Sequence, residues 1–154
     1  MRPVWWRCKY GHTWKEKIAK RTIEGERCPV CEEEFARVLP QLLIMLYCGR
    51  LGFKVRLNDE ETIGITLDAY IPELKLAVAL IGNGTKSEEE AVLVIQHLCK
   101  VRGLLFDTVS FKDSAEGVCR GVKKAFQEAH IYITSDNDDD VRTAHRQFFR
   151  WKKC

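Results

Sequence analysis

Four candidate metal ligands in the first 31 residues constrain this chain more than any other feature of its sequence. Three residues separate Cys8 from His12, two separate Cys28 from Cys31, and fifteen lie between the pairs. Zinc prefers four tetrahedral sulfur and nitrogen ligands, and a closely spaced pair lets one tight turn present two of them. A segment of about 30 residues has too little core to fold unaided. The pattern therefore predicts a structural zinc module that the metal stabilises.

The alternative to zinc is a set of reduced cysteines with an incidental histidine. Catalytic zinc is not expected, because protein ligands would fill all four positions. The remaining four of the seven cysteines are scattered, mostly on apolar helix faces, which favours buried thiols over a disulfide framework. They are Cys48, Cys99, Cys119 and Cys154.

The charge of the chain is distributed unevenly. The net charge is +3, but residues 1–31 carry eight Lys or Arg against three Glu, and the remainder sums to −2. We expect the basic segment to hold a nucleic-acid backbone, DNA in particular. The candidate contacts in this segment are Lys9, Lys15, Lys17, Lys20 and Arg21. No apolar run reaches the roughly 18 residues of a membrane span, and no signal peptide is evident, so we expect a cytoplasmic protein.

Three tryptophans and a C-terminal basic stripe add to this interpretation. Trp5, Trp6 and Trp14 flank the first ligand pair, where we expect them to pack over the metal site; an exposed indole could instead stack on a base or bind a partner. Three arginines lie at helical spacing near the C-terminus, and they either contact phosphates or form a solvated surface. They are Arg142, Arg146 and Arg150. Three histidines, His97, His130 and His145, have no close ligand partners and are expected to be structural or exposed.

Periodicity predicts an α/β domain over residues 32–154. The expected order is α-β-β-β-α-β-α-β-α, and Pro40 either begins the first helix or kinks it. The predicted elements are a helix over 32–48, an edge strand over 53–57, a hairpin within 62–84, a helix opened by a Ser87–Glu90 capping box, a strand over 104–111, a helix capped by Ser114, a short strand over 131–134 and a helix after residues 138–140.

The hairpin carries the clearest alternation and one carboxylate. Ile63, Ile65 and Leu67 alternate with small or polar residues, and the apolar alternation resumes after Pro72-Glu73. Asp68 lies near the end of the first predicted strand, where the alternation makes it available to a site. It either binds a metal or is a relic carboxylate bonded to backbone or a nearby base. One face of the hairpin is therefore expected to be core.

Two segments resemble known families. Residues 4–31 contain VWWRC, GHTW, RT and CPVC, which resemble a treble-clef-like zinc-ribbon family of bacterial and mobile-element proteins. Residues 67–78, LDAYIPELKLAV, resemble the very-short-patch-repair-like branch of the restriction-endonuclease-like, PD-(D/E)xK superfamily. The second resemblance spans about residues 34–112. Together they imply a zinc ribbon at 1–31 preceding a restriction-endonuclease-like αβββαβ domain at 32–154.

The same resemblance implies an impaired catalytic site. In such enzymes an Asp and a second acid hold Mg²⁺, which activates the attacking water. Ala79 and Ile81 stand where the family pattern has its later acids, which leaves Asp68 alone. Glu34, with Lys86 or Lys100, could rebuild a site in part. Glu73 and Lys75 spell the motif but lie at the hairpin turn, so we expect them on the surface.

Three functions follow as hypotheses. The favoured one is a catalytically degenerate endonuclease fold that binds zinc and DNA in a mobile-element, phage or defence context. The alternatives are an active Mg²⁺-dependent DNA endonuclease that uses Asp68, and a protein–protein interaction module, because zinc ribbons also bind proteins.

Overall fold

The described part of the chain, residues 3–7, 12–17 and 29–151 of a computed structural model, forms a β-hairpin followed by a mixed α/β unit. Its six strands and four helices are labelled here in chain order. They are β1 (Pro3–Arg7), β2 (Thr13–Lys17), α1 (Pro29–Leu51), β3 (Arg56–Asp59), β4 (Leu67–Ile71), β5 (Leu76–Ile81), α2 (Lys86–Val101), β6 (Leu105–Ser110), α3 (Ala115–Glu128) and α4 (Asn137–Trp151).

A four-stranded sheet lies between two helical layers. Its order is β3-β4-β5-β6; the first two pairs are antiparallel, and β5 pairs parallel with β6 through the α2 crossover. Residues of α1, α3 and α4 form one core on one face of the sheet, and α2 covers a smaller apolar cluster on the other. From α1 to β6 the order is α-β-β-β-α-β, as the sequence predicts.

Helix α1 connects the N-terminal module to the α/β core. It begins at Pro29, where the missing proline N–H costs nothing because first-turn donors have no intrahelical partner, and it runs through Pro40 to Leu51. The interpretation that the helix begins near Pro40 is therefore wrong. Gly52, with φ of +77°, ends the helix. The border predicted at residues 31 and 32 falls inside this continuous helix.

Strands β3 and β4 begin later in the chain than the sequence pattern indicates. The edge strand β3 pairs only from Arg56, and β4 begins at Leu67 rather than near Thr62. The Asp59 side chain accepts hydrogen bonds from the Glu61 N–H and the Thr62 hydroxyl, so this stretch closes as a turn. Ile63 follows this turn, and its side chain is buried. Its apolar character therefore reflects side-chain burial, without strand pairing.

Residues 131–134, predicted as a short strand, form an irregular connection between α3 and α4. The Ile131 N–H bonds the Phe126 carbonyl at the end of α3. Ile131 and Ile133 pack against the main core. The β-branched pattern is thus explained by side-chain burial in a loop.

Three of the four scattered cysteines are confirmed as buried thiols in no disulfide: Cys48, Cys99 and Cys119. Cys154 lies outside the described residues. None of the described helices combines the length and apolar character that crossing a membrane requires.

Helix α2 begins two residues before the predicted capping box. Its N-cap is Thr85, whose hydroxyl accepts the Glu88 N–H at 3.1 Å. The Glu88 carboxylate accepts N–H groups from Asn83, Gly82 and Gly84, and these bonds hold its pKa below the usual value. Backbone donors of the preceding loop therefore select residue 85 as the cap.

We expect Thr85→Ala to lower the free energy of unfolding by about 1 kcal/mol, because the Glu88 N–H loses its acceptor. For a domain of this size that corresponds to about 2–4 °C in Tm. The matched control is Ser87→Ala, at an exposed position one turn from the cap. Equal Tm losses for the two variants in thermal denaturation would contradict the assignment.

Candidate zinc centre and nucleic-acid interface

The N-terminal hairpin brings His12, one of the first ligand pair, to the end of two strands. β1 and β2 are antiparallel, and the last pair before the connection is Arg7 with Thr13. His12 directly precedes β2. Two of the predicted ligands fall outside the described residues: Cys8, which follows β1 in the sequence, and Cys28, which precedes α1. The structure therefore tests the predicted zinc site through His12 and Cys31.

Those two residues meet although 19 positions separate them. Cys31 is 2% exposed in the first turn of α1, and its Sγ lies 3.4 Å from His12 Nδ1. Zinc bonds of about 2.3 Å to sulfur and about 2.0 Å to nitrogen at a tetrahedral angle place such atoms about 3.5 Å apart. The two donors therefore fit one zinc ion. Bound there, zinc would join the hairpin to the beginning of α1.

The other ring nitrogen of His12 faces a carboxylate. His12 Nε2 lies 3.9 Å from Glu34 Oε1, which projects one turn after Cys31 on the same helix. A carboxylate in this position orients a metal-binding imidazole and increases its basicity. Glu34, a sequence candidate for a nuclease acid, thus lies at the zinc end of α1. Along that helix it is about 10 Å before Gln41, the residue that contacts the β4 backbone.

Asp68 is held by the sheet itself. Its Oδ2 accepts the Leu80 N–H at 2.6 Å, so the side chain bridges β4 to β5. Burial raises the pKa of Asp68, and the Leu80 N–H offsets this only in part. The backbone-bonded carboxylate is one of the interpretations that the sequence leaves open, and the structure has this geometry.

The surroundings of Asp68 supply no metal cluster. Ala79 is buried where the family pattern has an acid, and Lys100 is exposed in the last turn of α2. Glu73 and Lys75 are exposed at the β4–β5 turn, as predicted. Within residues 3–7, 12–17 and 29–151, no three His, Cys, Asp or Glu side chains are grouped closely enough to hold a metal.

Replacing Asp68 should separate its structural from its chemical role. We expect Asp68→Ala to lower the free energy of unfolding at pH 7 by about 1–3 kcal/mol, because the Leu80 N–H becomes an unpaired donor. Asp68→Asn keeps an acceptor oxygen and removes a buried charge, so its stability should equal or exceed that of the wild type.

The pH dependence of the same pair provides the check. A raised folded-state pKa contributes stability that is present below the unfolded value of about 3.9 and is lost as the pH rises through the folded value. Urea denaturation between pH 3 and 7 should therefore show Asp68→Asn gaining on the wild type as the pH rises. The opposite trend would contradict the raised pKa.

Helix α4 packs against the zinc end of α1. His145 Nε2 lies 3.1 Å from Glu32 Oε1, and the His145 ring meets Phe35 edge-on at 4.8 Å. Phe35 also contacts Phe148. His145 therefore has a structural role, one of the two that the sequence leaves open; its partner Glu32 lies 113 residues earlier, so local spacing could not identify it.

The predicted basic contacts fall on two elements of this region. Arg142, Arg146 and Arg150 are all exposed on α4, and Arg142 lies 3.8 Å from the exposed Asp139. Lys15 and Lys17 belong to β2. The remaining three candidates, Lys9, Lys20 and Arg21, lie outside the described residues.

Trp5 does not pack over the metal site. Its side chain is 70% exposed on β1, and its cross-strand partner is Lys15. The packing interpretation is therefore wrong for Trp5, which leaves its indole open to a base or a partner.

A buried polar cluster around Asp140 was missed by sequence reasoning. Asp140, expected only to favour the N-terminus of the last helix, is 1% exposed. Its Oδ2 accepts the Tyr47 hydroxyl at 2.8 Å and the Ser135 hydroxyl at 2.6 Å, while Arg50 Nη1 bonds Oδ1 at 2.8 Å. Lys123 Nζ lies 3.6 Å away. Only Ser135, five residues upstream, offered a local signal.

Comparison with known proteins agrees with the zinc geometry. No curated protein and no solved structure matches the chain. Residues 1–34 match a protein-family model described as "Probable Treble clef zinc finger domain", which covers all four predicted ligands and supports structural zinc at the N-terminal end of the chain.

Proposed function

We propose that this chain is a zinc-stabilised DNA-binding protein whose α/β unit has the restriction-endonuclease-like arrangement without a working catalytic metal site. The ribbon and helix α4 form the DNA-binding surface in this proposal. Mobile-element, phage or defence systems are the context that the family resemblance favours.

The observation that carries the proposal is the contact between α4 and the zinc end of α1. The His145–Glu32 pair and the Phe35–Phe148 contact hold α4 where α1 leaves the zinc module. The exposed arginines of α4 and the basic N-terminal segment therefore belong to adjoining elements. Adjacent cations can neutralise phosphates along one DNA backbone.

The state of Asp68 supports a role without catalysis. A carboxylate that holds Mg²⁺ must offer its oxygens to the ion, whereas Asp68 Oδ2 is engaged by the Leu80 N–H at 2.6 Å. The neighbouring strand position is the methyl group of Ala79, which is buried. Mg²⁺ keeps several waters and demands octahedral oxygen ligands, which this apolar neighbourhood does not supply.

The exposed Trp5 suggests how the ribbon would contact nucleic acid. An indole can stack on an unpaired base. Loss of one stacking contact is worth about 1–3 kcal/mol per base. We therefore assign Trp5 to single-stranded or distorted DNA.

The test is fluorescence anisotropy with labelled duplex and single-stranded DNA across a salt series, using zinc-loaded protein. Neutralising Arg142, Arg146 and Arg150 to Gln should weaken binding and reduce the slope of log K against log salt by up to about 3. Trp5→Ala should weaken binding to single-stranded DNA more than to duplex. The control triple variant neutralises three exposed lysines on other elements: Lys75, Lys86 and Lys112.

Two results would contradict the proposal. One is an absence of DNA binding at low salt, which would leave the protein-interaction alternative. The other is an equal loss for the arginine and lysine variants, which would indicate a response to net charge alone. Cleavage that requires Mg²⁺ and disappears in Asp68→Asn would instead establish the active-nuclease alternative.

A further inference from the structure

Helix α2 has an apolar side that the rest of the described chain leaves open. The exposed fraction is 63% for Leu93, 48% for Val94 and 70% for Val101. Ile95 and Cys99 are the buried residues of this helix. Val94 and Val101, seven residues apart, share one stripe of the helix, whereas Leu93 lies on a separate stripe. Single exposed apolar residues are ordinary at a surface, so Leu93 points to an interaction site only together with the groove and the charges beside it.

A groove runs beside Leu93, between α2 and the sheet edge. Its volume is about 540 Å³, and Ile81, Val92 and Leu93 provide apolar side chains. Thr108 and Ser110 line it from β6, the last strand of the sheet in the described part of the chain. The groove is therefore open along one side of α2.

One outward-facing donor of the strand edge is already occupied. The Leu105 N–H bonds the Lys75 carbonyl just before β5, and the Phe111 N–H bonds the Ile81 carbonyl at its end, so the Thr108 N–H, of opposite parity, points away from the sheet. That donor is taken by Asp107 Oδ1 at 2.8 Å. A charged side chain that occupies an edge donor is a known protection against strand pairing. An occupant of the groove should therefore present side chains, as a helix does.

The charges along α2 specify which helix fits. Glu89, Leu93, Gln96 and Lys100 follow spacings of four, three and four, and so form one row on the helix, here named the α2 row. All four are exposed. The row is acidic at its beginning, apolar in the middle and basic at its end. An identical row packed antiparallel places each Glu89 opposite the Lys100 of the other copy.

We propose that two copies of this chain associate through antiparallel packing of their α2 helices, with the α2 row of each copy beside the groove of the other. Each patch contacts its own copy, as a two-fold interface requires. Near the axis, Leu93 of each copy lies opposite Gln96 of the other, and two Glu89–Lys100 pairs flank these contacts. This interface uses neither the zinc centre nor α4.

A contact one helix wide lies at the small end of specific interfaces, below about 1,200 Å² in total, so we expect a dissociation constant in the micromolar range. Sedimentation velocity of the zinc-loaded protein without DNA measures this dissociation constant. The protein concentration runs from 5 to 500 μM, which is about two decades. Leu93→Glu should raise Kd about 30-fold or more, because it buries a charge at the axis. Tyr132→Glu is the control, at a side chain of similar exposure, 69%, on the α3–α4 connection.

Charge exchange tests the antiparallel register directly. Glu89→Lys and Lys100→Glu each turn both attractive pairs into repulsive ones, and should raise Kd about 5- to 30-fold. Mixing the two variants restores opposite charges in both pairs, so the mixed dimer should recover the wild-type Kd. The double variant should recover it as well.

Three outcomes would overturn the proposal. The first is a wild-type chain that stays monomeric at 500 μM (about ten times the expected micromolar Kd). The second is a Leu93→Glu chain that associates as the wild type does. The third is a mixture of the two charge variants whose Kd is no lower than that of either variant alone. Circular dichroism of each variant confirms that these exposed substitutions leave the fold intact.

Discussion

Cys31→Ser should lower the zinc affinity of this chain by about 100- to 1,000-fold. Structural zinc sites bind with apparent free energies of about 10–16 kcal/mol, and one ligand of four accounts for about a quarter of that. Cys31 also joins the hairpin to α1, because its Sγ lies 3.4 Å from His12 Nδ1. Its loss should therefore release the hairpin from the helix.

Competition with a colorimetric chelator measures the affinity, and elemental analysis gives the stoichiometry, expected at one zinc per wild-type chain. Three of the four tryptophans lie in residues 1–31, so tryptophan fluorescence reports on the module when zinc is removed. The α/β core has its own buried clusters, so its thermal transition should persist without zinc.

Two further variants provide reference values for the zinc affinity of Cys31→Ser. Cys99→Ala removes a buried thiol from the α2 side of the sheet and should retain one zinc at wild-type affinity. Glu34→Gln removes the carboxylate 3.9 Å from His12 Nε2 and should weaken zinc binding about 10- to 100-fold, less than loss of a ligand. Wild-type affinity in Cys31→Ser would disprove the ligand assignment.

Asp140→Ala should produce the largest loss of stability among substitutions in the α/β core. Removing one partner of a buried charged cluster costs about 3–5 kcal/mol; the exposed Arg50 can turn to water, so we expect a value near the lower end, from the donors that stay covered. Here the Tyr47 and Ser135 hydroxyls and the Arg50 guanidinium lose their acceptor. The expected fall in Tm is about 6–20 °C.

Asp139→Ala is the matched control for this variant. Asp139 precedes Asp140 in α4, but its side chain is exposed and its nearest cation, Arg142, is exposed as well. Surface substitutions of this kind change stability by no more than about 0.5 kcal/mol. Similar melting temperatures for the two variants would show that the buried cluster contributes little.

The pH dependence gives a second readout for Asp140. Burial raises the pKa of its carboxyl, but the hydrogen bonds from Ser135, Arg50 and Tyr47, with the Arg50 charge, outweigh burial, and the pKa lies below its usual value. A depressed pKa contributes stability above the unfolded value of about 3.9 that is lost as the pH falls through the folded value.

The stability gap between wild type and Asp140→Asn should therefore be constant near neutral pH and shrink in acid. Urea denaturation at several pH values between 7 and 3 measures that gap. Asp68→Asn should behave in the opposite sense, since its gain over the wild type increases with pH. A gap for Asp140→Asn that widens in acid would contradict the lowered pKa.

Elements defined by local signals were predicted well. Helix α3 begins where the Ser114 hydroxyl accepts the Gly117 N–H, and its apolar stripe is buried as expected. The β4–β5 turn falls at Pro72–Lys75, where proline breaks the alternation. These features depend on contacts within one or two turns of chain, so periodicity and capping residues suffice to identify them.

Predictions from sequence failed where side-chain burial and strand pairing produce the same apolar pattern. Ile131, Ile133 and Ile63 are explained by side chains that enter a core from irregular backbone, whereas Ile65 is exposed. The cap of α2 moved from Ser87 to Thr85 because loop donors bind Glu88. Local sequence cannot distinguish these cases, since the decisive partners are tertiary.

By itself, the sequence determined the ligand spacing of the zinc module, the amphipathic helices and the α-β-β-β-α-β order, because each depends on residues close together along the chain. Only the tertiary structure decided that Asp68 is bonded to Leu80, that His145 meets Glu32, and that Asp140 joins Tyr47 across 93 positions. Such pairs form when distant elements pack, and a buried polar group must then take whichever partner the packing brings to it.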